Sequence, residues 1–145
     1  MAEMNKRFLA LFLLATVTMI NLIGCKTNFP FLHETSMISS IEIAKADDIT
    51  NTSIEVSQSY TVENIDAFLE DFKQMKCMNY FSEPKEPDLE VKVVIITYEN
   101  QDYQIVSHTG SSVFKQETGY FTFNGIVCFD KDEFISLVEK YSSGD

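Results

Sequence analysis

Five side chains in this 145-residue chain are the natural carriers of covalent or acid–base chemistry: Cys25, Cys77, Cys128, His33 and His108. Cysteine offers a nucleophilic thiol, a disulfide or a metal ligand, and histidine offers a general base or a ligand. Cys77 and Cys128 can pair with each other, or they can lie as two small buried hydrophobes. They stand far apart, with no histidines at ligand spacing, so they make a poor zinc site. His33-Glu34 begins like a zinc-protease helix, but the stretch H-E-T-S-M lacks the second histidine. His108 falls at a strand end beside Gly110, a surface or edge position, and neither histidine has a nucleophile at a recognisable spacing. Gly110-Ser111-Ser112 lacks the strained elbow of a serine hydrolase, and the glycines form no phosphate-cradling loop.

Carboxylates are more plentiful. Asp130-Lys131-Asp132-Glu133 superficially suggests calcium, yet the alternating ligands, central glycine and distal glutamate of a calcium loop are missing. A helix start with surplus acids explains the run. Glu83, Glu86, Asp88 and Glu90 form a solvated loop that would hold divalent cations only weakly. Sequence-distant carboxylates such as Glu55 and Asp102 can converge only in the fold. No cofactor, metal or catalytic set is implied.

The first 25 residues have a different logic. Lys6 and Arg7 form a short positive start, residues 8–20 are apolar, and Leu22-Ile23-Gly24 leads to Cys25. A charged start, an apolar centre and a small residue before a cut is the grammar of an export signal. The apolar run is somewhat short for a bilayer span, which needs roughly 20 residues. The quartet L-I-G-C resembles the lipobox of bacterial lipoproteins. That resemblance implies cleavage between Gly24 and Cys25 and a diacylglyceryl group on the Cys25 thiol. Stable anchoring takes two or more acyl chains, at about 0.8 kcal/mol per buried methylene. Residues 1–24 are then signal peptide, residues 25–35 a lipid-anchored tether, and residues 36–145 a single domain. Asn51-Thr52-Ser53 fits a glycosylation acceptor and is discounted in a chain of bacterial character.

Removing residues 1–24 takes Glu3, Lys6 and Arg7 with it. The mature chain keeps 9 of 11 basic and 21 of 22 acidic side chains, a net charge of −12. That charge argues against nucleic acid, which demands a basic patch. It favours a basic partner, or serves solubility alone.

The tether contains Pro30 and no periodicity. If flexible it reaches only roughly 16–19 Å, which keeps the domain close to the membrane. Phe29, Phe31 and Leu32 are unusual in a free linker; they are expected to dock on the domain or dip into the lipid interface. Ile41 and Ile43 alternate with polar neighbours, residues 47–51 form a turn, and residues 54–60 resume alternation, which reads as a hairpin. Thr61 is the expected N-cap of a helix whose apolar face is Ile65, Phe68, Leu69, Phe72 and Met75. After a polar loop, residues 91–98 are apolar on both faces, the mark of a central strand. Short strands follow at 103–108, 113–115, 120–123 and 126–129. Asp130 caps a second helix with the stripe Phe134, Ile135, Leu137, Val138 and Tyr141, and residues 142–145 should fray. The expected fold is α+β, a mainly antiparallel sheet of about five to seven strands with two amphipathic helices, in the order β-β-α-β-β-β-β-α, packed on one face.

The segments K-C-M-N-Y-F (76–81), V-I-I-T-Y-E-N (94–100) and F-D-K-D-E-F (129–134) resemble small uncharacterised lipoproteins of Firmicute bacteria. This resemblance implies an address and no activity. The expectation is a membrane-anchored extracytoplasmic lipoprotein with a non-catalytic binding domain, its partner an exported protein of basic character. Tyr98, Tyr103, Tyr120 and the 114–123 edge offer aromatics for contact or for the core. The alternative is a small extracytoplasmic enzyme, or an accessory subunit of one, whose site is invisible in sequence. A structural envelope spacer is a third reading.

Overall fold

The computed structural model describes residues 26–50, 52–75, 77–79, 87–123 and 127–143. In chain order the elements are β1 (Lys26–Thr27), a 3-10 turn (Thr35–Met37), β2 (Ile38–Ile49), β3 (Ile54–Thr61), α1 (Ile65–Gln74), β4 (Cys77–Asn79), β5 (Val93–Tyr98), β6 (Tyr103–Val106), β7 (Ser111–Lys115), β8 (Tyr120–Phe123), β9 (Val127–Phe129) and α2 (Lys131–Ser142). Six strands form one antiparallel sheet in the order β3-β2-β5-β6-β7-β8. With α1 and α2 this is the expected α+β arrangement. β9 is the strand expected at 126–129, but it joins β1 and β4 in a second antiparallel sheet, β1-β4-β9, which the residue pattern does not show because strands of two or three residues leave no periodicity to read.

β5 is central because its β-branched and aromatic side chains must be covered on both sides. Val94, Ile96 and Tyr98 join Ile41 and Ile43 of β2 and Val106 of β6 under the helices, where Phe68, Leu69 and Phe72 of α1 and Phe134, Leu137 and Val138 of α2 close the core. Val93 and Ile95 turn the other way, into a smaller cluster with Ala44, Ala46 and Ile105, flanked by Leu89, Tyr103 and Phe121.

Several local expectations are corrected. Residues 25–35 were expected as a tether. From Lys26 onward this segment is built into the domain: Lys26 and Thr27 pair with Met78 and Cys77, and Phe29 is buried against Phe72 and Phe129. The turn expected at 47–51 lies at 50–53, where Thr50 N bonds Ser53 O at 2.9 Å. β2 runs on through Asp47 and Asp48 because two compensating bulges keep it paired. The register steps from Lys45–Gln58 to Ala46–Val56 and then to Asp48–Glu55, which leaves Ser57 and Asp47 as the extra residues. Ser57 Oγ donates to Asp47 Oδ1 at 3.1 Å. Such bulges twist an edge strand away from unwanted pairing.

The first helix is capped by Asn64, not Thr61. Val62 N still donates to Ile41 O at 2.8 Å, so the ladder continues past Thr61 and the helix starts later. Asn64 Oδ1 accepts from Ala67 N at 3.0 Å. Asp130 caps α2 as expected, accepting from Asp132 N and Glu133 N. Ser142 was expected to fray, but it is buried and its Oγ accepts from Lys92 Nζ at 3.0 Å. Replacing Asn64 with Ala should cost about 1 kcal/mol in urea unfolding. Thr61→Ala should cost less than ~0.5 kcal/mol, since Thr61 is exposed.

Candidate functional site

The best-built polar cluster joins the N-terminal segment to the β5–β6 hairpin. The hairpin turn is tight: Gln101 N donates to Tyr98 O and Tyr98 N to Asp102 O, both at 2.9 Å. Gln101 takes a φ of 69°, a left-handed conformation that costs a side-chain-bearing residue ~1 kcal/mol or more. The turn thereby sets Asn100 and Asp102 side by side.

Asp102 is 8% exposed and its carboxylate collects three donors. His33 Nε2 lies 2.8 Å from Oδ2, Asn100 Nδ2 donates to the same oxygen at 3.0 Å, and Gln116 N donates to Oδ1 at 2.8 Å. Asn100 Nδ2 is also 3.2 Å from His33 Nε2. With its proton on Nε2, His33 donates to Asp102, so Nε2 and Asn100 Nδ2 are both donors and the network assigns Asn100 to the carboxylate. Burial pushes the Asp102 carboxyl up, but the His33, Gln116 and Asn100 donors outweigh it and hold the group below the ordinary carboxylate range.

Beneath this pair, Tyr98 and Gln104 are fully buried. Leu32 N donates to Tyr98 Oη at 3.2 Å, Tyr98 Oη donates to Gln104 Oε1 at 3.2 Å, and Gln104 Nε2 donates to Pro30 O at 3.1 Å. The His33 ring stands edge-on to Tyr98, with centroids 4.9 Å apart. Burial pushes the Tyr98 phenol up, a shift only partly offset by Leu32 and His33. Tyr98 therefore serves as a neutral hydrogen-bonding core residue. Two buried side chains thus satisfy the backbone of residues 30–32, and His33–Asp102 closes the end. Chemically, a carboxylate-oriented imidazole is half of a general-base system. Here its geometry works as a latch on the N-terminal segment.

His108 was expected at the surface or an edge; it is buried. Its carbonyl accepts from Phe129 N at 2.8 Å, and its ring lies 6.4 Å from that of Phe134, so β9 and α2 cover it. Its Nε2 is 3.6 Å from Asp88 Oδ2. Burial pushes the His108 imidazole down, Asp88 pulls it back up, and Lys131 adds to the lowering. Ser107 Oγ accepts from Asp88 N at 3.1 Å and Thr109 N at 3.2 Å, organising the turn beside it. Ser111 and Ser112 lie in β7, not in a turn, and both are buried.

The other candidates fall elsewhere. Gly24 and Cys25 lie outside the described residues, as do Glu83, Glu86 and Asn51. Cys77 is buried in the core. Its backbone is opposite Phe129, while Cys128 is opposite Met78, so the two cysteines are one residue out of register on paired strands. The Cys128 side chain lies outside the described set. Glu55 is exposed on β3 and does not meet Asp102. Asp88 Oδ1 accepts from Glu90 N at 2.9 Å, a local turn. Tyr103 stacks on Phe114 with centroids 4.8 Å apart and meets Phe121 edge-on at 5.4 Å, a half-buried satellite of the sheet, while Tyr120 is 52% exposed.

An open groove of about 540 Å³ runs between the helices, floored by Met75 and Leu137 and rimmed by Asp71, Asp132, Glu133 and Lys140. Asp71 Oδ2 accepts from Lys140 Nζ at 2.6 Å and Tyr141 Oη at 2.7 Å, which ties the helices together and lowers the Asp71 pKa. Among the described residues, the two carboxylates with a resolved shift, Asp71 and Asp102, are displaced downward, the direction of ion pairing rather than of a proton donor at neutral pH. Among the described residues, no helix is long and apolar enough to cross a membrane, and no group of His, Cys, Asp and Glu could hold a metal ion. Compared with protein-family models, with curated proteins and with solved structures, the chain matches none.

Two pH effects follow. His108 has a folded pKa below its unfolded value of about 6.5, so the unfolded chain binds more protons, and stability falls as pH drops through 6.5 toward the folded value. His108→Leu should flatten unfolding midpoints measured by urea titration over that window. Asp102 has the depressed carboxylate pattern. Its contribution is present above about 3.9 and disappears as pH falls through the lower folded value. Asp102→Asn should remove the Asp102 share of that acid-side slope, read from urea midpoints between about pH 2 and 5.

Proposed function

We propose that the protein is a lipid-anchored domain on the outer face of the cytoplasmic membrane, acting through binding rather than catalysis. The observation that carries this reading is the run of residues 6–25, a positive start and an apolar stretch ending in L-I-G-C, followed directly by a folded strand at Lys26. An anchor on Cys25 would then meet the domain with no slack between them. The partner that the charge favours is an exported protein with a basic surface, since the mature chain would carry a net charge of −12. The groove between α1 and α2, with its acidic rim and apolar floor, suits a basic amphipathic segment of that partner.

The enzyme reading rests on the His33–Asp102 pair. It needs a nucleophile or an activated water beside an imidazole that the latch already uses.

Full-length protein and Cys25→Ala would be expressed in a bacterial host and fractionated. The wild type should sediment with membranes and Cys25→Ala should be released. Equal sedimentation of the two would overturn the anchor. Crosslinking at low salt should capture an exported basic protein with the anchored form, and the yield should fall as salt rises past the Debye-screening range of ~0.15 M.

A further inference from the structure

Lys26 and Thr27 are fixed at once in β1, opposite Met78 and Cys77. Beside the residues that follow, a groove of about 280 Å³ opens between positions 28–31 and the end of α1. It is lined by Asn28, Phe29, Phe31, Phe72, Lys73 and Met75. Asn28 is three residues from Cys25, a reach of at most about 11 Å. Phe29 and Phe72 are buried and meet edge to face, with centroids 5.0 Å apart. Phe31 and Met75 are only partly buried, so their apolar surface is left to the groove. Rigid rings and a flexible thioether make a wall that conforms to a polymethylene chain. Lys73 stands at the rim, exposed, in the last turn of α1. An ammonium on an apolar stem, set above a groove whose lining mixes the apolar surface of Phe31 and Met75 with the polar groups of Asn28 and Lys73, matches the boundary between acyl chain and headgroup of a lipid.

We propose that this groove receives one acyl chain of the diacylglyceryl group on Cys25. The proposal rests on the lipoprotein reading and adds to it where the lipid goes. With one chain seated against Phe31 and Met75 and the remainder in the bilayer, the groove mouth faces the membrane. The domain is then held in one orientation instead of swivelling about its first residue. The α1–α2 groove shares Met75 with this site, so its near end would lie close to the lipid surface.

The test uses the full-length chain in a bacterial host fed a fatty acid carrying an alkyne and a terminal diazirine. The alkyne reports acylation, which should appear on wild type and vanish in Cys25→Ser. Illumination followed by peptide mapping reports where the chain end lies. Crosslinks within residues 28–31 and 72–75 are the expected result. Phe31→Ser and Met75→Ser should each lower their yield about tenfold, the loss expected when one apolar side chain no longer covers the chain. Labelled protein whose crosslinks fall only on bilayer lipid, or elsewhere on the domain, would overturn the groove assignment and leave the anchor standing. Absence of label on Cys25 would overturn both. The wild-type map decides the matter even if a variant fails to fold.

Discussion

A strand that is apolar on both faces must be covered on both faces, and β5 imposes that demand on everything around it. Val94, Ile96 and Tyr98 require a layer on one side, and Val93 and Ile95 require one on the other. Two amphipathic helices supply most of the first layer. They leave the end near Tyr98 open, and the segment from Phe29 to Leu32 fills it. Tyr98 brings a hydroxyl into that interior, and a buried hydroxyl needs partners. Gln104 and the backbone of residue 32 provide them. The N-terminal segment is therefore part of the core, held by burial at Phe29 and by hydrogen bonds at residues 30–33.

Much of this architecture was legible in the residue pattern. Alternation at Ile41 and Ile43, the two-faced run at β5, and the stripes of both helices each identify an element and its buried side. The misreadings share a physical cause: the deciding partner is distant in sequence. Thr61 has the chemistry of an N-cap, but Ile41 claims the next residue for the ladder, and the cap passes to Asn64. His108 borders a turn, which suggests exposure, yet Phe129 and Phe134 arrive from the far end of the chain to cover it. The His33–Asp102 pair spans 69 positions. Both residues were visible as candidates, but nothing local signals that they meet. β1 and β4 are too short to show any period, while β9 falls within the strand expected at 126–129.

Charge is distributed in a consistent way. Among the described residues most of the acids other than the buried Asp102 stand at or near the surface, and Asp66, Asp132 and Glu133 in helix first turns face the favourable end of the helix dipole. Each cation that the structure uses has a specific task. Lys140 joins α2 to α1 through Asp71, and Lys92 holds Ser142 and lies over the Tyr60 ring.

The latch also has a consequence in time. The residues that hold positions 30–33 are Tyr98, Asn100, Asp102 and Gln104, and β1 pairs with β4 about fifty residues downstream. Such contacts close long loops, and loops of this length close slowly compared with local turns. A chain emerging from its N-terminus presents residues 26–33 long before their docking surface exists. During that interval residues 26–33 lack the partners that hold them in the fold. Completion of β5 and β6 supplies the partners of residues 30–33, and the arrival of β9 completes the cover over Phe29.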